Sequence, residues 1–463
     1  MDEIPAAEAF EPQPEEATAA GRLRRRLRIA VTLTVVAAIV VLAAIEGGGY
    51  IIRTDTFDST PAPAAARLAV VDSAGALTTI DERGGSAVAY SVPGIAFRFP
   101  AWSPDGSRIA AIGQGSDGTG VYVFAARAAA EAGADPVVVY ESADRPPFYL
   151  YWTPDGGQLT FLTTEPDGLA LRIAPADASA MASTVRAGAP MYWDIVDSGR
   201  LLVHAGTSGP DGFLGEVGVD GAPFEGTGAL PGVFRAPAVS SDRRYRAYVA
   251  AGNGTTGEVV IEARDGSSTN RVRVFGLAAL SFSPQRDELA FVAPDQPTSD
   301  ALPLPAGPLR LIDPRTAAAR TLLDGTVVAV FWSPSGKEIA VLRLGNSGDN
   351  VTEAKRGASA ALARANIAAE EAAAGLPLRL AFVEVASGSV RSERVVRLSD
   401  LFVNQVLPFF DQYALSHRFW SPDGAAIVLP IVGEGDVTQL FVIPADGSDA
   451  HAVATGEMGF WSP

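Results

Sequence analysis

Past the first sixty or so residues, the apolar positions of this chain fall into short runs closed by Gly, Asp or Pro. Phe97 to Trp102, Arg108 to Ile112, Gly120 to Phe124 and Pro136 to Tyr140 are rich in β-branched and aromatic residues. Each run predicts a strand, and together they predict a four-stranded antiparallel unit. Between the first two lies Ser103-Pro-Asp-Gly106. Ser accepts locally, Pro presets φ at the second position, Asp tolerates the third, and Gly closes the turn at positive φ.

The unit recurs. Trp-Ser-Pro-Asp-Gly stands at Trp102 and Trp420, Trp-Thr-Pro-Asp-Gly at Trp152, and Trp-Ser-Pro-Ser-Gly at Trp332; looser copies follow Trp193, Val239 and Phe282. Successive starts lie about 41 to 50 residues apart, with one interval of about 88. That period fits a four-stranded propeller blade rather than a helical repeat. Trp is then the large wedge where one blade packs on the next. Asp105, Asp155 and Asp423 read as turn residues, not as metal ligands or catalytic acids.

The two ends complete each other. Gly459 to Pro463 supplies a first strand with nothing after it, while Arg67 to Asp72, Ala76 to Asp81 and Ser86 to Tyr90 supply three strands with no first. Joined, they predict an eighth blade, which closes the ring and hides its sheet edges. Seven blades with the terminal strands packed on as extras is the alternative. The long interval carries an insertion at about 351–375, where Asn350-Val-Thr-Glu353 resembles a capping box before Ala-rich helical sequence. Leu380 to Val385 resumes the blade, and a second irregular stretch, Leu401 to Tyr413, brings four aromatics before Trp420.

The first 66 residues follow another pattern. Residues 1–28 form an acidic, Pro- and Ala-rich tail that ends in five arginines, Arg22, Arg24, Arg25, Arg26 and Arg28. Residues 29–52, apolar apart from Thr32, Thr34, Glu46 and a few others, predict one transmembrane helix, and 53–66 a short extended linker. Arginines before the span place the N-terminus in the cytoplasm and residues 67–463 outside it. A cleaved signal peptide is the competing reading, and the long acidic stretch ahead of the run argues against it. Few lysines, many alanines and no cysteine suggest a GC-rich bacterial genome and exclude disulfides and thiolate metal sites. A net charge of −17 argues against nucleic-acid binding.

A Trp or Phe followed by Ser-Pro-Asp-Gly and then x-x-Ile-Ala resembles the repeat of TolB-like propellers, the bacterial WD-like repeats. The copies at Trp102, Trp152, Trp332 and Trp420 carry the likeness, which extends over about 67–463. It implies an all-β propeller and leaves function open. The repeat serves envelope maintenance, propellers fused to peptidases, and polysaccharide lyases.

The chain lacks the Gly-x-Ser-x-Gly of the fused peptidases and has no His-x-His or His-x-x-x-His pair for a lyase metal. No catalytic residue, cofactor or metal site is therefore expected. Arg98, Arg235, His417 and Arg418, on or beside first strands, and Tyr149 on another, could meet an anionic ligand at one mouth of the ring. The expectation is a membrane-anchored, non-enzymatic scaffold with an envelope protein as partner. A carbohydrate- or anion-binding propeller, with a divergent polysaccharide lyase as one form of it, is the alternative.

Overall fold

The computed structural model describes residues 66–126, 135–206, 212–224, 229–232, 235–251, 257–297, 304–345 and 378–463. The tail 1–28, the expected span 29–52, the linker to residue 65 and the insertion at 351–375 lie outside them. No helix among the described residues is long and apolar enough to cross a membrane. All the described residues fall within one compact unit, Ile45–Pro463.

This unit is all-β, built of consecutive antiparallel sheets. In the sheet of Trp102, Ala96–Trp102, Arg108–Gln114, Thr119–Ala125 and Val137–Ser142 pair in chain order. The next repeats this with Pro147–Trp152, Gln158–Glu165, Gly168–Pro175 and Ser183–Ala187. One seven-stranded sheet holds two such groups, because the 14-residue strand Ala319–Trp332 closes one and opens the other. Its register shifts between Val327 and Ala329, and Gly325 stands at φ 99°. Each sheet packs on the next, through strand contacts or through Trp193 on Thr160 and Trp420 on Phe331 and Phe382, and the C-terminal strand packs against both neighbours. The arrangement is consistent with a propeller.

Burial explains the apolar runs. Middle strands lie between two neighbouring sheets, so Ile109 to Ile112 and Val121 to Phe124 are buried on both faces. The outermost strand Thr269–Val274 faces solvent on one side and alternates exposed and covered positions.

The termini meet as expected. Met458–Trp461 pairs antiparallel with Arg67–Val71, Leu68 opposite Trp461, and the sheet continues through Leu77–Asp81 and Val88–Tyr90. The Ser462 N–H donates to the Arg67 carbonyl at 2.8 Å, and the Arg67 N–H donates to the Ser462 hydroxyl at 3.1 Å.

The turns are built as the motif predicts. The Ser103 hydroxyl donates to Asp105 (2.6 Å) and accepts the Arg108 N–H (2.9 Å), and Gly106 sits at φ 70°. Ser421, Asp423 and Gly424 (φ 71°) repeat it. The Ser421 hydroxyl and the Ala425 N–H hold Asp423 below the usual carboxylate range.

The tryptophans follow a rule that spacing alone does not show. Each indole N–H reaches the residue just before the motif aromatic of the preceding group. Trp102 donates to the Phe460 carbonyl (3.1 Å), Trp152 to Ala101 (3.0 Å), Trp332 to Ser281 (3.1 Å) and Trp420 to Phe331 (2.9 Å). Trp193 obeys through a relay: it donates to the Thr160 hydroxyl (2.9 Å), which donates to the Tyr151 carbonyl (3.0 Å). Trp461 is the exception, with its indole nitrogen buried and unpartnered.

The exception yields a test. Trp102→Phe leaves the Phe460 carbonyl without its donor and should cost about 1–3 kcal/mol in denaturant unfolding. Trp461→Phe loses the same ring area but removes an unsatisfied donor, so it should cost measurably less than Trp102→Phe. Equal losses at both sites would show that the indole bonds contribute nothing beyond ring packing.

Candidate functional site

The segment between the seven-stranded sheet and Trp420 lies against the first strands of several sheets. Leu401 to Tyr413, irregular by its sequence pattern, is helical: a π turn Phe402–Val406, a 3₁₀ turn Leu407–Phe409 and an α-helix Phe410–Ser416. The helix touches Pro147–Trp152, Met191–Asp197, Ala279–Phe282 and Ala319–Trp332. Those are the inner strands of four groups, so the helix occupies the axis on which they converge.

Its packing is aromatic and close. Tyr413 meets Phe99 at 5.4 Å and Tyr149 edge-on at 5.3 Å, while Phe410 meets Phe331 at 6.1 Å and Phe409 meets Tyr192 at 5.8 Å. Phe402, Val406, Leu407 and Phe410 are buried. Phe99 and Tyr149 take φ of 49° and 47°, at register shifts in their two strands. Bulky residues avoid that region, at a cost on the order of 1–3 kcal/mol each. A bulge re-aims the side chain, and here both rings are turned onto the same tyrosine.

Polar groups complete the junction. The Tyr149 hydroxyl donates to the Gln412 carbonyl at 2.6 Å, and Gln412 Nε2 donates to the Tyr149 oxygen (3.0 Å) and the Trp193 carbonyl (2.9 Å). Gln412 Oε1, Asp411 Oδ2 and Arg235 Nε are buried without a partner. Burial pushes the Asp411 carboxyl up to about 6, against the opposing pull of Arg235. A second buried carboxylate, Asp194, accepts the Val239 and Ile195 N–H groups, both at 2.7 Å, and the Tyr151 hydroxyl at 3.3 Å. Burial outweighs these bonds and raises it to about 6 as well.

The five residues singled out by sequence divide by exposure. Tyr149 and His417 are buried against the axial segment, at 7% and 2% exposure, and Arg235 is buried at 6% beside Tyr192 and Asp411. Arg418 is exposed near Tyr151, and Arg98 is half-buried on Ala96–Trp102. The His417 Nε2 lies 3.5 Å from the Phe99 carbonyl, which can only accept, so Nδ1 receives the Ser416 hydroxyl at 2.6 Å. Burial holds this imidazole down at about 3, so it is neutral near pH 7. His204 Nδ1 donates to the Arg235 carbonyl (3.1 Å), and burial lowers that ring to about 4.

Nothing in the repeat points to Asp411, Gln412, Tyr192 or Asp194. For Asp411 and Gln412 the one sequence signal is that an Asp-Gln pair stands inside the aromatic run Phe409 to Tyr413. Elsewhere, Glu216 (3% exposed) is held by Arg200, Arg246 and Arg264 and joins two neighbouring sheets. Among the described residues no three His, Asp or Glu converge as a metal ligand set.

No protein-family model and no curated protein matches the chain. Solved structures with a similar fold include an oligogalacturonate lyase in complex with manganese, at 12% identity over 84% of this chain and 85% of that one (TM-score 0.42). TolB from Acinetobacter baumannii matches at 14% over 84% of this chain and 79% of its own (TM-score 0.38). A eukaryotic initiation factor matches at 10% over 86% and 99% (TM-score 0.47). These are likenesses of fold alone and carry no information on activity.

Two measurements address the axial junction. Gln412→Leu strands the Trp193 carbonyl and removes the bond that the Tyr149 oxygen accepts, while the Tyr149 hydroxyl keeps its backbone acceptor, and should lower unfolding stability by about 1–3 kcal/mol. His417 is depressed when folded and ordinary when unfolded. Its contribution is therefore present above about pH 6.5 and is lost as pH falls towards 3. His417→Gln should flatten that acid loss in urea titrations at pH 6.5 and 4. An unchanged slope would mean that His417 is not buried as a neutral ring.

Proposed function

We propose that this chain is a membrane-anchored, extracytoplasmic propeller of eight blades that acts as a non-enzymatic protein-interaction or cell-envelope scaffold. The count of eight takes Ala319–Trp332 as a strand of two blades and the sheet joining Met458–Trp461 to Arg67–Val71 as one. One observation favours a scaffold over an enzyme. The axis, where converging strands of a ring would gather catalytic groups, is filled by the protein's own Ser399 to His417. Tyr413 there is taken up by aromatic packing, and the Gln412 amide nitrogen by bonds to Tyr149 and Trp193. Partners then meet the outer faces and loops of a rigid ring, where binding on such scaffolds concentrates. The anchor rests on the arginines and apolar run of residues 22–52.

The second reading is a carbohydrate- or anion-binding propeller, with a divergent lyase as one form of it. What favours it is the exposed Arg418 beside Tyr151.

Crosslinking in native membranes followed by mass spectrometry should recover a reproducible envelope protein joined to the ring, and loss of residues 1–52 should release the ring from the membrane fraction. Recovery of the ring alone, together with glycan-array binding that Arg418→Ala abolishes, would replace the scaffold reading by the second one.

A further inference from the structure

The axial segment is fastened to the ring by two unlike halves. On one side Gln412, Tyr149 and the Trp193 carbonyl satisfy one another. On the other, Asp411 is 2% exposed, its Oδ1 accepts the Gln412 N–H at 3.1 Å, and its Oδ2 has no partner among the described residues. The groups facing it from the ring are the Arg235 guanidinium, from the stretch before Ala238–Val239, and the Tyr192 hydroxyl, from Met191–Asp197. No ion pair joins Asp411 to Arg235, and Arg235 Nε is itself buried and unpartnered among the described residues. Behind Arg235, His204 Nδ1 donates to the Arg235 backbone carbonyl at 3.1 Å. The charged side chain that faces Asp411 thus stands off, and the carboxyl enters a buried junction where, among the described residues, only the neighbouring backbone N–H groups bond it.

We propose that Ser399 to His417 is a pH-sensitive plug of the ring's axis, held fast while Asp411 is protonated and loosened when Asp411 ionises across the gap from Arg235. The physical cause is desolvation. An ionised carboxylate without a direct partner in such a place costs several kcal/mol, more than a stand-off guanidinium returns. The upward shift of Asp411 to about 6 agrees with this, since a carboxyl raised on folding contributes stability below its unfolded value and loses it as pH rises through the folded one. Loosening would uncover Phe402, Phe409, Phe410 and Tyr413 together with the inner strands they cover. It would also release the Phe99 and Tyr149 bulges from the ring that holds them.

Hydrogen exchange on the full chain, corrected for intrinsic rates, tests this at peptides covering 401–417. Wild-type protection should fall on the order of tenfold or more between pH 5 and pH 8, with the midpoint near 6, while peptides of the outer strands stay level. Asp411→Asn should keep the low-pH protection at both pH values. Arg235→Met removes the facing charge and should move the midpoint to higher pH. The proposal is overturned if wild-type protection of 401–417 does not change with pH, or if folded Asp411→Asn keeps the wild-type dependence. It is equally overturned if the midpoint stays put in Arg235→Met, which decides the matter should Asp411→Asn fail to fold.

Discussion

Each described sheet of this molecule begins with a strand that has a ladder partner on one side only, and the rest of the structure is arranged around that fact. An inner strand with a bare edge presents carbonyls and N–H groups that must find partners once buried. The indole N–H groups meet this need one group at a time: Trp102, Trp152, Trp332 and Trp420 pack as wedges and also donate to a carbonyl on the inner strand before them. Where side-chain geometry sets the indole off the carbonyl, Thr160 carries the bond across. A residue chosen for its area is thereby also the hydrogen-bond clip between neighbours, which explains why Trp and not Leu recurs at the position.

The same need accounts for the filled axis. Where the inner strands converge, Gln412 bonds the Trp193 carbonyl, Tyr149 bonds the Gln412 carbonyl, and the aromatics of Phe402 to Tyr413 exclude water from the remainder. The bulges at Phe99 and Tyr149 show how far the ring accommodates this segment, because two neighbouring inner strands depart from regular pairing to aim rings at Tyr413. The axis is therefore part of the core. Groups that in sequence resembled ligand contacts, Tyr149, Arg235 and His417, are built into that core, whereas Arg418 keeps its exposure.

The junction is also where the molecule is least well compensated. Glu216 shows the ordinary solution to a buried charge, with three arginines around one carboxylate. Asp411 has no such company among the described residues, and Arg235 stands off from it with its Nε unpartnered among them. Natural cores seldom leave both members of an opposite-charge pair unsatisfied, and strain or mismatch of this kind tends to mark an element with more than one state.

Period, turn chemistry and strand composition are local properties, so the sequence alone determined the repeating four-strand unit, the role of Asp105, Asp155 and Asp423 in turns, and the pairing of the two chain ends. Each depends on residues a few positions apart, or on a pattern left incomplete at one end and completed at the other. Direction of donation by the indoles, the course of Ser399 to His417 through the axis, and the meeting of Tyr149, Trp193, Arg235 and Asp411 depend on contacts between residues tens to hundreds of positions apart. An irregular stretch such as Leu401 to Tyr413 has no period to read. Only the converging inner strands, by burying its aromatics and offering the Trp193 carbonyl to Gln412, decided that it would become helical and where it would lie.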